Sequence, residues 1–179
     1  MKKAISAALT AMLFFFGCSA YSPGANSGDG SRVLFGNIYG TVIDGQTGNP
    51  VPDALIYVTD QPVRFVSEKA DGAVLSDQGW VRVPPPETAI RRATSQPDGS
   101  YMVNRIPLKE KYALYTVVIK AESFDNTVID QVPVLPGASM ALRIDCRLTQ
   151  TDEIHVIRVF KGHKNVDINY SDELKKPPQ

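Results

Sequence analysis

The chain has 179 residues, with 19 Lys and Arg against 19 Asp and Glu, so its formal net charge is zero. That length fits one domain of ordinary size or at most two small ones. The balance excludes a basic protein that holds nucleic acid by counterion release, and equally an acidic solvating chain. At 43% hydrophobic and 21% charged the composition is globular rather than disordered, and 13 Gly with 13 Pro lean towards a turn-rich β protein. Two cysteines cannot staple a disulfide-dense scaffold.

Met1-Lys2-Lys3 opens the chain with positive charge, and Ala4 to Phe16 is an apolar run broken only by Ser6 and Thr10. A membrane span needs ~20 apolar residues. This run is shorter, and its charge order matches the n- and h-regions of a secretory signal. Phe15-Phe16-Gly17-Cys18-Ser19 then resembles the lipobox of bacterial lipoproteins, in which a small residue precedes an obligatory cysteine. Phe15 stands where that family prefers Leu. The resemblance implies that residues 1–17 are a signal peptide and that Cys18 is acylated on sulfur and on its new N-terminus. The alternative is an ordinary signal cut near Ala20, with Cys18 discarded. Two or more acyl chains hold a protein stably on a bilayer, at ~0.8 kcal/mol per buried methylene. The expected location is therefore outside the cytoplasm, lipid-anchored to the cell membrane or outer membrane. Ser19 after the cysteine resembles the outer-membrane pattern. Loss of Lys2 and Lys3 leaves 17 basic against 19 acidic residues, a net charge of −2.

Residues 18–32 are small or polar and read as a flexible tether. From Val33 onward period-two segments recur and no long helical stripe appears. Gly36–Asp44 and Ala54–Thr59 are predicted strands, separated by the turn-rich Gly45 to Pro50. Asp98-Gly99 predicts a tight turn between Arg92–Gln96 and Tyr101–Val103. Tyr112–Ala121, rich in β-branched and aromatic residues, predicts a central strand, followed by Thr127–Val134. Met140–Thr149 alternates cleanly: Leu142, Ile144, Cys146 and Leu148 share one face, Arg143, Asp145, Arg147 and Thr149 the other. Ile154–Phe160 supplies one more strand. The expected domain is an all-β sandwich over residues 33–161, with a polar tail at 162–179.

The order of signals resembles the carboxypeptidase regulatory-like domain, a transthyretin-like (prealbumin-like) antiparallel β-sandwich of about seven strands. The matching residues are Gly40-Thr-Val-Ile-Asp44, Thr47-Gly48-Asn-Pro50-Val51-Pro-Asp-Ala54, Thr94-Ser-Gln-Pro-Asp98-Gly99-Ser-Tyr101 and Ile106-Pro107. The resemblance implies a non-catalytic structural, spacer or binding module without cofactor, and admits glycan binding. This chain departs from it at residues 60–94, an expected long inserted loop or hairpin, and at Ile106-Pro107-Leu108-Lys109-Glu110, which replaces a Leu-Pro-x-Gly turn.

Chemistry is sparse. The histidines are His155 and His163, and no zinc-binding His-Glu-x-x-His occurs. His155 alternates with Ile154 and Val156, which predicts a solvent-facing side chain, and His163 sits in a basic turn. Neither a nucleophile elbow nor a phosphate loop is present. The Tyr-Arg-Gly-Ser terminus of the transthyretin-like hydrolases is missing as well. Cys146 reads as a small buried hydrophobe. No metal site is expected, and a hydrolase is the distant alternative. The insertion holds Trp80, the sole tryptophan, with Arg82, the run Pro84-Pro85-Pro86, and then Arg91-Arg92. Trp80, Val81 and Val83 are expected to pair with Val63–Val66. Trp80, Arg82, Arg91 and Arg92 are the candidate binding residues for a protein partner or a carboxylated glycan. In the competing reading Trp80 caps the sandwich and the prolines end a strand. The expected partners are the membrane, through the N-terminal lipid, and an envelope protein or glycan; nucleic acid is not one.

Overall fold

The computed structural model describes residues 33–109, 113–137, 140–150, 154–158 and 166–169. The segments expected as signal peptide (1–17) and tether (18–32), Cys18 among them, and His163 lie outside the described residues. Among the described residues twelve strands follow one another: β1 (Leu34–Asp44), β2 (Leu55–Thr59), β3 (Arg64–Phe65), β4 (Val74–Ser76), β5 (Gly79–Arg82), β6 (Arg91–Thr94), β7 (Ser100–Leu108), β8 (Ala113–Lys120), β9 (Asn126–Val134), β10 (Leu142–Leu148), β11 (Ile154–Arg158) and β12 (Val166–Asn169). A turn of 3-10 helix at Pro86–Thr88 lies between β5 and β6.

They form two sheets, ordered β12-β10-β1-β7 and β3-β5-β4-β11-β9-β8-β2-β6. The all-β sandwich predicted from the pattern is the fold. Its sheets are mixed rather than purely antiparallel, because β1 runs parallel to β10 and β11 runs parallel to both β9 and β4. The strand count exceeds seven because the insertion contributes β3, β4 and β5 and the C-terminal segment contributes β12. Strand β12 pairs with β10 from Cys146↔Val166 to Arg143↔Asn169, and Val166 joins the core. Val166–Asn169, within the segment expected as a polar tail, is thus a strand of the first sheet.

Alternation decides which face of each strand is buried. In β1, Ile38 and Val42 point inward while Tyr39, Thr41 and Ile43 are only half-buried. In β10, Leu142, Ile144, Cys146 and Leu148 enter the core and Arg143 and Arg147 stay exposed. The second sheet answers with Ile56, Val58, Val117, Ile119, Ile129, Val132 and Val134. Burying a side chain of this size contributes ~1.5–3 kcal/mol, so this layer is the main source of cohesion.

The parallel ladder between β1 and β10 breaks at Gly40-Thr41, and the break is filled by side chains. The Asp145 carboxylate accepts the Thr41 N–H and hydroxyl, both at 2.9 Å, and the Tyr101 hydroxyl donates to the Ile144 carbonyl at 2.8 Å. Gly40 passes so close to β10 that a Cβ there would stand 1.8 Å from the Ile144 carbonyl oxygen.

Candidate functional site

The insertion covers the outer face of the second sheet. Strands β4 and β5 form a hairpin through Asp77-Gln78, with Gly79 at φ +110°, a backbone region open mainly to glycine. Strand β3 adds to β5 with Arg64 opposite Arg82 and Phe65 opposite Val81. Because side chains alternate, Val81 turns inward and Trp80 and Arg82 turn out. Val81 and Val63 bury against Tyr57, Val118, Val128 and Val156, a second apolar cluster separate from the main core. The Tyr57 hydroxyl donates to the Pro84 carbonyl at 2.7 Å, fixing the proline run to β2. Burial pushes the Tyr57 phenol up to about 12, with the Glu87 charge adding to the rise and Arg92 partly offsetting it. Pro84 is buried, and the prolines are a seam between flap and sandwich rather than a free polyproline element.

The hairpin tip is latched to β11. The Asp77 N–H donates to the Ile154 carbonyl at 3.3 Å, the Val156 N–H donates to Asp77 Oδ1 at 3.2 Å, and the Gln78 amide donates to the Val156 carbonyl. His155 corrects the solvent-facing expectation. Its side chain is 16% exposed, with Nε2 3.0 Å from Asp125 Oδ2 and Nδ1 3.9 Å from Asp77 Oδ2. The physical reason is the flap: it covers the face bearing Val156 and leaves His155 on the side of its register partner Thr127. Asp125 is fully buried and also accepts the Thr149 N–H at 2.7 Å.

On the solvent face of the flap Leu75 stands opposite Trp80 and Arg64 opposite Arg82. Leu75 is 61% exposed. Trp80 is half-buried, with the Lys69 ammonium 5.8 Å from its ring centroid, a cation–π contact. Arg64 and Arg82 border a shallow cleft of about 560 Å³ with Gln61, Asp71 and Pro85. Like charges directly opposite on paired strands repel, so this face is primed for a negatively charged group.

Of the four candidate binding residues, the structure brings together Trp80 and Arg82. Arg91 and Arg92 belong to β6, at the far end of the sheet order, and their guanidiniums are engaged by backbone. Arg91 donates to the carbonyls of Arg105 at 2.9 Å and Ile90 at 2.8 Å, and Arg92 donates to the Pro86 carbonyl. Arg105 lies at a bulge where β7 shifts register against β1, at φ +56°, with its N–H bound by the Asn37 side chain. Arg91 thus occupies a carbonyl on the open edge of the longest edge strand, a means of blocking strand addition. The other edges are short: β3 has two residues, β6 and β12 four each. Arg64, Lys69 and Leu75 were missed by sequence reasoning. The expected pairing of 63–66 with 80–83 held the signal, but the register that selects Arg64 rather than Phe65 for the outer face did not follow from it.

Cys146 lies in the core at 1% exposure, and burial pushes its thiol up to about 12, a rise that Thr127 partly offsets and Asp125 adds to. At neutral pH it is a protonated, shielded thiol. Among the described residues no group of three or more His, Cys, Asp or Glu is placed to hold a metal ion. Comparison with family models, curated proteins and solved structures finds no match to this chain.

Proposed function

We propose that the chain is an exported lipoprotein, anchored through acylated Cys18, whose β-sandwich serves as a non-catalytic structural or protein-interaction module of the cell envelope. The observation that carries this reading is the face of the flap. The flap that buries the apolar outer face of the second sheet is latched down at Asp77 and Tyr57, and it presents Trp80, Leu75, Arg64 and Arg82 outward. Aromatic and arginine side chains anchor protein interfaces, with the best contacts made where an apolar patch sits beside fixed charge. The lipobox-like Phe15-Phe16-Gly17-Cys18 supports the anchored location. The sealed Cys146 supports a module without catalysis.

A photo-reactive residue placed at Leu75 in cells tests the reading. A discrete adduct with one envelope protein is expected, weakened several-fold by Arg64→Glu with Arg82→Glu. No adduct beyond that formed from Met102, which is 56% exposed on the other sheet, contradicts it.

A second reading, an acidic glycan on the same face, draws support from the Arg64–Arg82 pair, which suits a carboxylate. Stacking of a sugar on Trp80 first requires displacement of Lys69 from the ring. Oligosaccharide quenching of Trp80 fluorescence separates the two readings.

A further inference from the structure

Among the described residues the two ends of the sandwich differ in their exposed charge. The start of β1, the end of β7 and the start of β8 meet at one end of the sandwich, where Leu34 pairs with Leu108 and Ala113 with Val134. The end of β2 and the start of β6 join them, with Val58 opposite Arg91. This is where the described chain enters, at Val33. Val33 is 57% and Leu114 50% exposed. Beside them lies a mainly apolar cleft of about 400 Å³ between Ile90, Pro107, Leu114 and Tyr115, bordered by Lys109 and Asp60. Arg91 follows Ile90 and holds the Arg105 carbonyl, and the Arg105 guanidinium lies over the Phe35 ring at 5.1 Å. Arg91, Arg105 and Lys109 are all exposed. The opposite end is richer in acid: its cleft is lined by Asp44, Asp53 and Glu122, and exposed Asp98 stands in the adjoining turn, with Arg147 opposite Ile43 and Lys120 at the end of β8 as the basic residues beside them.

We infer that the entry end of the sandwich docks on an anionic phospholipid surface, with Val33, Leu114 and the rim of the apolar cleft at the headgroup boundary and Arg105 and Lys109 on the phosphates. The inference rests on the anchored reading, because the anchor brings this end to the bilayer. Fourteen residues separate Cys18 from Val33. A Gly/Ser-rich chain of that length has an r.m.s. span of roughly 20 Å, so the entry end spends its time within reach of the headgroups. Long basic side chains extend charge to phosphate while their stems stay on apolar surface. The far end, richer in acid, is less drawn to the same surface, so both ends favour one orientation. Acyl chains hold the protein; the charge difference sets which way it stands. In that orientation the flap face lies on the side of the molecule, open to a neighbour in the envelope.

The mature chain coupled through its Cys18 thiol to a maleimide lipid in vesicles tests this whether or not cells acylate Cys18. Buried Cys146 does not compete. Hydrogen exchange is compared between vesicles of phosphatidylglycerol with phosphatidylethanolamine and vesicles of phosphatidylcholine alone. Exchange near Val33 and around Lys109 and Leu114 is expected to slow at least several-fold on the anionic vesicles only. The slowing should fall by roughly five-fold for each charge removed, and be lost in Lys109→Glu with Leu114→Ser. Equal exchange on both vesicles, protection at the Asp53 and Glu122 end, or protection confined to the flap overturns the inference. Failure here leaves acylation of Cys18 untouched, since coupling replaces it.

Discussion

Gly40 fixes the meeting of β1 and β10 more tightly than any buried hydrophobe, because the constraint is backbone against backbone. A methyl group there meets a carbonyl 1.8 Å away, and neither strand can retreat without losing the Asp145 and Tyr101 bonds. Overpacking of this kind costs ~1–3 kcal/mol or more. Gly40→Ala is expected to lose at least that much in urea denaturation. Gly48→Ala, at φ +74° but with open space around it, should lose only the conformational cost of ~1 kcal/mol. Equal losses at the two positions would contradict the close approach. The sequence marks Gly40 as part of a motif, yet nothing in it says that β1 lies parallel to a strand a hundred residues away. His155 is the converse case. Its alternation was legible, and the face it selects was inverted by a cover that sequence periodicity does not register.

At the scale of elements, the flap and the sandwich are two packed layers on one sheet. Strand β10 alternates strictly and has one wet face, so its pattern could be read directly. Strand β8 does not alternate: Tyr115, Thr116, Val117, Val118 and Ile119 are all buried. An unbroken apolar run signals cover on both faces, and in hindsight the Tyr112–Ala121 segment announced that something lay over the outer face. What lay there was harder to read, because β3 has two residues and β4 three, too few for periodicity to declare itself. If the flap is a separate layer, an uncompensated charge beneath it should open it alone. Val81→Asp is expected to redden Trp80 emission and to raise exchange across residues 63–83. It should cost the flap ~2–7 kcal/mol, the range for burying an unpaired polar group, while exchange in β1, β7 and β10 stays slow. Simultaneous loss of protection in both sheets would mean that flap and sandwich form one cooperative unit.

The whole molecule combines a stiff two-sheet body, a flap with an aromatic and cationic face, and an entry end whose exposed charge differs from that of the far end. The overall class was legible from turn density and alternation. The binding surface was only half legible: Trp80 and Arg82 could be named, but Arg64 comes to them through strand register and Arg91 and Arg92 leave them through backbone bonds. The proposed function and the docking of the entry end both presume a chain held at a membrane through Cys18. Intact-mass spectrometry of the protein extracted from cell membranes tests that presumption most directly. The account predicts a chain beginning at Cys18 and heavier than its unmodified mass by its acyl groups, with Cys18→Ser leaving the precursor uncut or the protein released. A membrane-free chain that begins near Ala20 at its unmodified mass would contradict it.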